Sequence, residues 1–371
     1  MTEQIDLLVW NEISQYLSTS FSQTDKINLM LSSSYLSNLR NYFEHVEVKK
    51  NMKKNIKNIF PNIISLKSCY LTQQRILKLQ NLTSLDCSNC QHKIDIKCLI
   101  NLTSLNCSKC QNIKNMECLT NLVSLNCSKC FYEINVKNFT CLTSLTCEKC
   151  ENINNVENLI GLTYLNCGGC NCVESVKKLV NLTSLNCDCC DNIKNVESLV
   201  NLTSLNCGWC NIKNIEGLVN LTSLNCDGCE NIKNVEKLVN LKKLYCSDCE
   251  NIKNVEKLVN LTSLNCDGCE NIKNVEKLVN LKKLYCFDCN NIKNVEKLVN
   301  LTSLNCDGCE NIKNVEKLVN LKKLDCFSCN NIKNVEKLTN LRKLAWFKCK
   351  NVNDIKSLVN LTHLNDNKIK K

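Results

Sequence analysis

The sequence predicts an α/β solenoid, a right-handed superhelix of about fifteen 20-residue coils with a parallel β-sheet on its concave face and a small helical domain in front. Three features indicate this fold. Leucines recur every 20 residues from Leu82 onward, with a single step of 19 between Leu202 and Leu221. Apolar residues and cysteines occupy the same places in each period. The 371 residues include eight glycines and one proline, too few for a succession of ordinary tight turns.

Each coil is expected to contain one short strand and one return segment. With the leading leucine at position 1, apolar residues or cysteines occupy positions 1, 4, 6, 9, 12, 15 and 18, and most other positions are polar. Positions 4 and 6 have the strand period, which places both side chains on one face of a sheet. The later steps of three suit a coil that turns inward once per side. One coil cannot bury its apolar face alone, so stacked coils share a continuous core.

A Cys-x-x-Cys pair at positions 6 and 9 recurs in almost every coil, and the spacing between successive pairs falls within the range of zinc sites. We favour a packing role, because free cysteine behaves as a small buried hydrophobe and Trp346 replaces a position-6 cysteine while Cys349 is kept. A position-9 thiol could also donate to a carbonyl group of the turn. Metal binding and redox chemistry remain the alternatives, with no metal or cofactor expected. Cys98 and Cys118 lie off this pattern at position 17 and are expected to be exposed.

The repeat L-x-x-L-x-C-x-x-C-x-x-I-x-x-V-x-x-L resembles the leucine-rich repeat. Its return segment, as in NIKNVEKLVNLTSL, is similar to the short repeats of internalins and phosphatase-regulatory repeat proteins. The resemblance covers about residues 62–371 and departs from the family at position 6, where cysteine replaces leucine. It implies a binding protein. The duplicated coils, rich in Asn, Lys and Ile, are also similar to repeat proteins of giant DNA viruses of amoebae.

The resemblance implies that positions 2, 3, 5, 7 and 8 line the concave face, where a ligand would bind. From Leu221 onward, coils of the form LTSLNCDGC alternate with lysine-rich coils of the form LKKLYCSDC. Basic and aromatic side chains of this kind anchor protein ligands and can also hold single-stranded nucleic acid. We favour a protein or peptide ligand over nucleic acid; a plain solvated face is the alternative. The expected ligand-binding residues are Lys243, Tyr245, Lys283, Tyr285, Phe287, Lys323, Phe327, Lys343 and Phe347.

Residues 1–45 are predicted to form the helical domain, residues 46–61 a connector and residues 62–371 the solenoid. Apolar residues recur at helical spacing in IDLLVWNEISQYL, and Asp25 is a candidate cap for a second helix. These segments resemble an F-box, although the usual Leu-Pro opening is missing. The alternative is a helical cap over the first coil. The resemblance implies binding to a Skp-type adaptor, and through it to a cullin, by Ile5, Leu8, Val9, Ile13 and Leu17.

An enzyme is not expected, because the three histidines are far apart in the sequence and no nucleotide-binding or nucleophile motif occurs. The sequence has no signal-peptide pattern and no apolar run of membrane-spanning length. We therefore expect a cytoplasmic or nuclear protein, within the host cell if viral, whose cysteines stay reduced. The favoured function is substrate recognition in an SCF-type ubiquitin ligase. The alternatives are a binding scaffold without a ubiquitin link and a cysteine-rich metal-binding protein.

Overall fold

A computed structural model of the chain describes residues 45–47, 63–349, 355–365 and 367–368. The chain divides into two compact units, Met1–Asn152 and Ile153–Lys371. Short parallel strands one coil apart recur in both units, which confirms the predicted solenoid. Most of the predicted helical domain lies outside the described residues, including the predicted adaptor-binding residues Ile5, Leu8, Val9, Ile13 and Leu17.

The first unit contains one short helix and a succession of short strands. In chain order they are β1 His45–Glu47, β2 Ser65–Lys67, α1 Gln73–Ile76, β3 Ser84–Asp86, β4 Ile94–Asp95, β5 Ser104–Asn106, β6 Ile113–Lys114, a 3₁₀ turn Met116–Cys118, β7 Ser124–Asn126, β8 Ile134–Asn135 and β9 Ser144–Thr146. Strands β1, β2, β3, β5, β7 and β9 pair in parallel in that order, and β4 pairs with β6 on the return side.

Strand β1 lies across the predicted border between the helical domain and the connector. His45 is in register with Ser65, so β1 adds a strand to the sheet one full coil before β2. Residues that the sequence analysis assigned to a connector therefore contribute to the sheet. The rest of the predicted division at residues 45 and 61 stays a prediction.

The second unit has the same pattern, with one strand of the main sheet in each of eleven coils. Its strands are β10 Ile153–Asn154, β11 Tyr164–Asn166, β12 Ser184–Asn186, β13 Ser204–Asn206, β14 Ser223–Asn225, β15 Lys243–Tyr245, β16 Ser263–Asn265, β17 Lys283–Tyr285, β18 Ser303–Asn305, β19 Lys323–Asp325, β20 Lys343–Ala345, β21 His363–Leu364 and β22 Asn367–Lys368. Its 3₁₀ turns are Val156–Asn158, Val235–Lys237, Val255–Lys257, Val275–Lys277, Val295–Lys297 and Val335–Lys337. Strands β11 to β21 pair in parallel one after another, and β22 runs antiparallel to β21.

The core consists of the seven inward positions of each coil, as the sequence pattern predicts. In the coil that begins at Leu221, all seven side chains are fully buried: Leu221, Leu224, Cys226, Cys229, Ile232, Val235 and Leu238. Burying a side chain of the Val, Leu or Ile type contributes about 1.5–3 kcal/mol relative to leaving it exposed. Because the same set recurs in coil after coil, the stacking of neighbours is the main source of stability.

Most coils have at least one turn with positive φ, and some coils have two. Position 14 is asparagine at many of them, with φ of 57° at Asn234 and 55° at Asn254. Asparagine is one of the few residues with a side chain that adopts this conformation readily. Position 8 also has positive φ, and there glycine alternates with bulkier residues such as Asp248 and Trp209. The turns therefore explain part of the high asparagine content.

Asparagine side chains also connect neighbouring coils. At position 20, Asn240 Nδ2 donates to the carbonyl oxygen of Val219 at 2.9 Å, and at position 11, Asn251 Nδ2 donates to that of Glu230 at 2.7 Å. Each bond satisfies a carbonyl group of the preceding coil that the short strands do not use. The recurring Asn-Leu-Thr tripeptide is thus a structural element of the stack.

Among the described residues, no helix is long and apolar enough to cross a lipid bilayer.

Candidate ligand-binding face

The outer surface of strands β14 to β20 in the second unit is called the strand face here; its exposed side chains come from positions 2, 3, 5, 7 and 8. Parallel pairing keeps equal positions in register, so each position forms a row across the sheet. The position-3 row is Ser223, Lys243, Ser263, Lys283, Ser303, Lys323 and Lys343. The position-5 row is Asn225, Tyr245, Asn265, Tyr285, Asn305, Asp325 and Ala345.

The nine predicted ligand-binding residues all lie on the strand face, and parallel pairing brings them together. Lys243, Lys283 and Lys343 are exposed, while the serines between the lysine-bearing strands, Ser263 and Ser303, are buried. The basic residues are therefore separated into groups, here called rungs, each formed by the lysines at positions 2 and 3 of one coil. That these residues bind a ligand stays a prediction.

Lys323 differs from the other predicted lysines. Its Nζ lies 2.6 Å from Oδ2 of Asp325, and the Asp325 side chain is largely buried. Both residues belong to β19, two positions apart, so their side chains emerge on the same face. The charge of Lys323 is thus balanced within its own strand. Asp325 occupies position 5, where the equivalent coils have Tyr245 and Tyr285. This substitution is visible in the sequence and indicates that Lys323 has an acidic neighbour.

Exposed aromatic rings lie at the other end of the lysine-bearing strand segments. Phe287, Phe327 and Phe347 occupy position 7 and expose 46%, 36% and 58% of their surface. Trp209, which the sequence analysis did not select, is exposed to 61% at position 8 of an earlier coil. Its ring lies against the next coil, where a Cβ on Gly228 would meet the ring at 2.5 Å. The exposure of Trp209 became evident only once the coils were stacked.

Three aspartates on this face, at position 7 of the Thr-Ser coils, accept backbone N–H groups of the next coil. Asp267 Oδ1 accepts the N–H of Phe287 at 2.7 Å, and Asp307 Oδ1 accepts that of Phe327 at 2.6 Å. The N–H groups in question belong to position 7. In coils with asparagine at position 5, that asparagine accepts the position-7 N–H of its own coil, as Asn265 does for Asp267 at 3.2 Å. Where position 5 is Tyr245, Tyr285 or Asp325, an aspartate of the preceding coil accepts this N–H instead.

Burial affects the acidity of these carboxyl groups. The loss of solvent raises the pKa of Asp267 and of Asp307, although the N–H bonds from Phe287 and Phe327 oppose the shift. Neighbouring carboxylates such as Asp227 raise the pKa of Asp267 further. These two groups therefore hold their negative charge at an energetic cost and are turned toward the protein backbone.

The cysteine pairs lie inside the coils, away from the strand face. The Cys229 thiol donates to the carbonyl oxygen of Cys207 at 2.9 Å, and the Cys249 thiol donates to that of Cys226 at 3.0 Å. The Cys226 thiol in turn lies 3.5 Å from the carbonyl oxygen of Tyr245 in the following coil. Burial and weak hydrogen bonding by these thiols are confirmed. For Cys229 and Cys249 the acceptor belongs to the preceding coil, and Cys329 also lies 3.5 Å from the turn carbonyl of Phe327 in its own coil.

The position-6 thiols are held in the protonated form. The hydrogen bond with Cys249 and burial raise the pKa of Cys226 well above its ordinary value, and Cys269 and burial do the same for Cys246. A thiolate is the form that binds metals. Within the described parts of the chain, no group of three or more His, Cys, Asp or Glu side chains is arranged to hold a metal ion.

The cysteine ladder is the set of Cys residues at positions 6 and 9. Two cysteines outside it were predicted to be exposed. Cys118 is exposed and Cys98 is half-buried, with its thiol 3.8 Å from the carbonyl oxygen of Ile76. Cys141 and Cys189, which also lie off the pattern, are exposed as well.

No protein-family model matches the chain, and no curated protein matches it. Solved structures do. A leucine-rich-repeat protein of Leptospira interrogans superimposes with a TM-score of 0.71 at 19% identity, over 89% of this chain and 97% of that one.

The chain has the leucine-rich-repeat fold. The functional domain of InlJ from Listeria monocytogenes is also similar, with a TM-score of 0.59 and 24% identity over 73% of this chain and 69% of that one, and its description names a cysteine ladder. The internalin InlF from the same species has a TM-score of 0.53 and 20% identity over 91% of this chain and 96% of that one. The predicted resemblance to internalins therefore holds at the level of the fold.

Proposed function

We propose that this leucine-rich-repeat protein is a non-enzymatic interaction protein that holds a protein or peptide ligand on its strand face. The observation that supports the proposal is the in-register array of exposed lysines and aromatic rings on one parallel sheet. Basic and aromatic side chains of this kind are typical anchors of protein interfaces. Repeat stacks also present long continuous surfaces to their partners.

The support for a rigid binding surface comes from the backbone. Each strand of the face is bonded on both sides to its neighbours, and the turns that follow are held by Asp267, Asp307 and their equivalents. A side chain that protrudes from such a scaffold is already positioned before the ligand arrives. Pre-organisation of this kind lowers the entropic cost of binding.

The finer proposal is that the protein recruits substrates to an SCF-type ubiquitin ligase. The F-box-like segment would bind a Skp-type adaptor, and through it a cullin, by Ile5, Leu8, Val9, Ile13 and Leu17. The strand face would hold the substrate. This proposal rests on the resemblance in the sequence of the first 45 residues. A binding scaffold without a ubiquitin link is the second candidate.

Affinity purification of the full chain from cell extract, read by mass spectrometry, tests both levels. Three proteins are compared: the unmodified chain, Ile13→Asp/Leu17→Asp, and Lys283→Gln/Phe287→Ala. The matched control is Lys293→Gln, which removes one charge from the return segment of the same coil. We expect Skp and cullin to be lost only with Ile13→Asp/Leu17→Asp, and other partners to be lost only with Lys283→Gln/Phe287→Ala.

Each outcome has a distinct meaning. If Skp and cullin are absent from every preparation while other partners still depend on Lys283 and Phe287, the ubiquitin-ligase proposal is wrong. The binding-scaffold proposal then stands. Partners that are indifferent to the strand-face variant would contradict the proposed binding face itself.

A further inference from the structure

The basic rungs of the strand face have a regular spacing. Lys242 and Lys243 return as Lys282 and Lys283 two coils later, with a Thr-Ser coil between them. Neighbouring strands of a sheet lie about 4.8 Å apart, so rungs two coils apart are separated by about 9.6 Å. The third rung retains Lys322, which is exposed, while Lys323 is paired with Asp325.

Among the described residues, the lysines of the first two rungs have no acidic partner within salt-bridge distance. In the described structure, neither Lys243 nor Lys283 forms an ion pair. The acidic residues nearest in the pattern are engaged elsewhere. Asp227 Oδ1 accepts the N–H of Ser247 at 2.7 Å, as Asp267 does for Phe287. Asp227 and Asp267 therefore bind backbone N–H groups, whereas Lys243 and Lys283 can bind a ligand. The lysine-bearing edge of the face is positively charged.

A second pair of aspartates lies away from the lysines. Asp248 and Asp288 stand at position 8, at the opposite end of the strand segment from the lysines. Their carboxylates lie over the backbone of the next coil, so close that a Cβ on Gly268 would meet Asp248 Oδ1 at 2.6 Å. The acidic and basic rows are thus separated across the face. A ligand that lies along the lysine edge would meet positive charge without the opposing row.

The spacing of the rungs selects a ligand conformation. A polyproline-type chain has three residues per turn and advances about 3.1 Å per residue, so every third side chain points the same way, about 9.3 Å from the last. In a β-strand, by contrast, side chains three residues apart point to opposite faces. The polyproline repeat matches the separation of two lysine rungs. A helix, with about 1.5 Å per residue, would need more than six residues between successive contacts.

We propose that the strand face recognises an acidic peptide in the polyproline-type conformation that carries a carboxylate at every third residue. Successive carboxylates would bind the Lys242/Lys243, Lys282/Lys283 and Lys322 rungs. The residues between them would pass over the Thr-Ser coils, where Ser263 and Ser303 are buried. This inference rests on the proposed strand-face function and adds the chemistry and the period of the ligand.

Fluorescence anisotropy with the full chain tests the period. Three labelled peptides of identical composition are used, with glutamates at every third residue, at every second residue, or in one cluster. We expect the first peptide to bind at least about tenfold more tightly than the other two. The preference should vanish in Lys242→Gln/Lys243→Gln/Lys282→Gln/Lys283→Gln.

The control variant is Lys253→Gln/Lys257→Gln/Lys293→Gln/Lys297→Gln. It removes the same number of charges from the same two coils, at exposed positions of the return segment. We expect it to keep both the affinity and the preference. A charge-reversed variant, with the four face lysines changed to glutamate, should instead prefer a peptide with lysine at every third residue, which would show that the face is folded.

Equal affinity for the three peptides, binding to none of them, or equal weakening by the control variant would overturn the inference. Tighter binding of a single-stranded oligonucleotide than of any peptide would also overturn it. If cellular partners still depend on Lys283 and Phe287 while the peptides show no preference, the proposed function stands and only this inference is wrong.

Discussion

The thiol of Cys309 donates to the carbonyl oxygen of Cys286 at 2.8 Å, and the two sulfur atoms lie 4.0 Å apart. Both side chains are fully buried. The pair joins position 9 of one coil to position 6 of the coil before it, and equivalent pairs recur along the second unit. The ladder therefore fills the core and links adjacent coils.

Replacement of Cys309 by alanine is expected to lower the free energy of unfolding by about 1–2 kcal/mol. The change removes buried volume and leaves the Cys286 carbonyl without its donor. Urea unfolding followed by circular dichroism measures the effect. The matched control is Cys118→Ala at an exposed site, which should change stability by no more than about 0.5 kcal/mol. Equal effects at the two sites would contradict the packing role of the ladder.

Thiol reactivity should divide the cysteines into two groups. In the native protein near neutral pH, iodoacetamide should modify the exposed residues Cys118, Cys141 and Cys189. The position-6 thiols should react only in denaturant, because they are buried and their raised pKa disfavours the thiolate. Peptide mapping by mass spectrometry identifies the modified sites. Rapid native labelling of Cys226 or Cys246, or stoichiometric zinc in the purified protein, would favour the metal or redox alternative.

Gly268→Ala is expected to destabilise the protein by about 1–2 kcal/mol, because Gly268 has φ of 71° and the new methyl group would displace Asp248. Gly217→Ala is the control, since no atom lies within 4 Å of its added Cβ. That change should be neutral or stabilising by up to about 1 kcal/mol. Thermal unfolding of the two variants measures the contrast. Similar melting temperatures would mean that the turn at position 8 does not require glycine there.

Asp267→Asn should stabilise the protein slightly at pH 7, by no more than about 1 kcal/mol. Burial raises the folded-state pKa of Asp267, so its ionisation costs stability as the pH rises through that value. Asparagine keeps an oxygen that can accept the Phe287 N–H and carries no charge. The advantage should disappear as the pH falls toward the ordinary aspartate pKa of about 3.9.

The companion variant Asp267→Ala separates charge from hydrogen bonding. It removes the acceptor of the Phe287 N–H, so it should be less stable than Asp267→Asn at pH 7. Urea midpoints at pH 4 and pH 7 give both comparisons. An asparagine variant no more stable than the alanine variant at pH 7 would show that this hydrogen bond contributes little.

Much of the core could be predicted from the sequence because one pattern repeats about fifteen times. Leu224 and Cys226 could be assigned to the interior from strand period alone, and both are fully buried. The face was equally accessible to prediction, since Lys243, Tyr245 and their equivalents alternate with those inward residues. Trp346 is a partial exception, because it replaces a buried cysteine and is only half-buried.

The hydrogen-bond partners could not be predicted in the same way. Cys229 finds its acceptor in Cys207, and Phe287 finds its acceptor in Asp267, each about one coil away in the chain. The pairing of Lys323 with Asp325 and the exposure of Trp209 likewise depend on how side chains pack on neighbouring strands. These relationships need the distance between stacked coils, which local sequence does not contain.

By itself the sequence determined the period, the inward positions and the residues that form the outer face, because hydrophobic burial follows side-chain spacing along one chain segment. Only the tertiary structure decided which atoms of adjacent coils meet. It showed that Asp227 and Asp267 accept backbone N–H groups of the next coil, whereas Lys243 and Lys283 form no ion pair with any described residue. Donor, acceptor and charge geometry of this kind arise only when the coils stack.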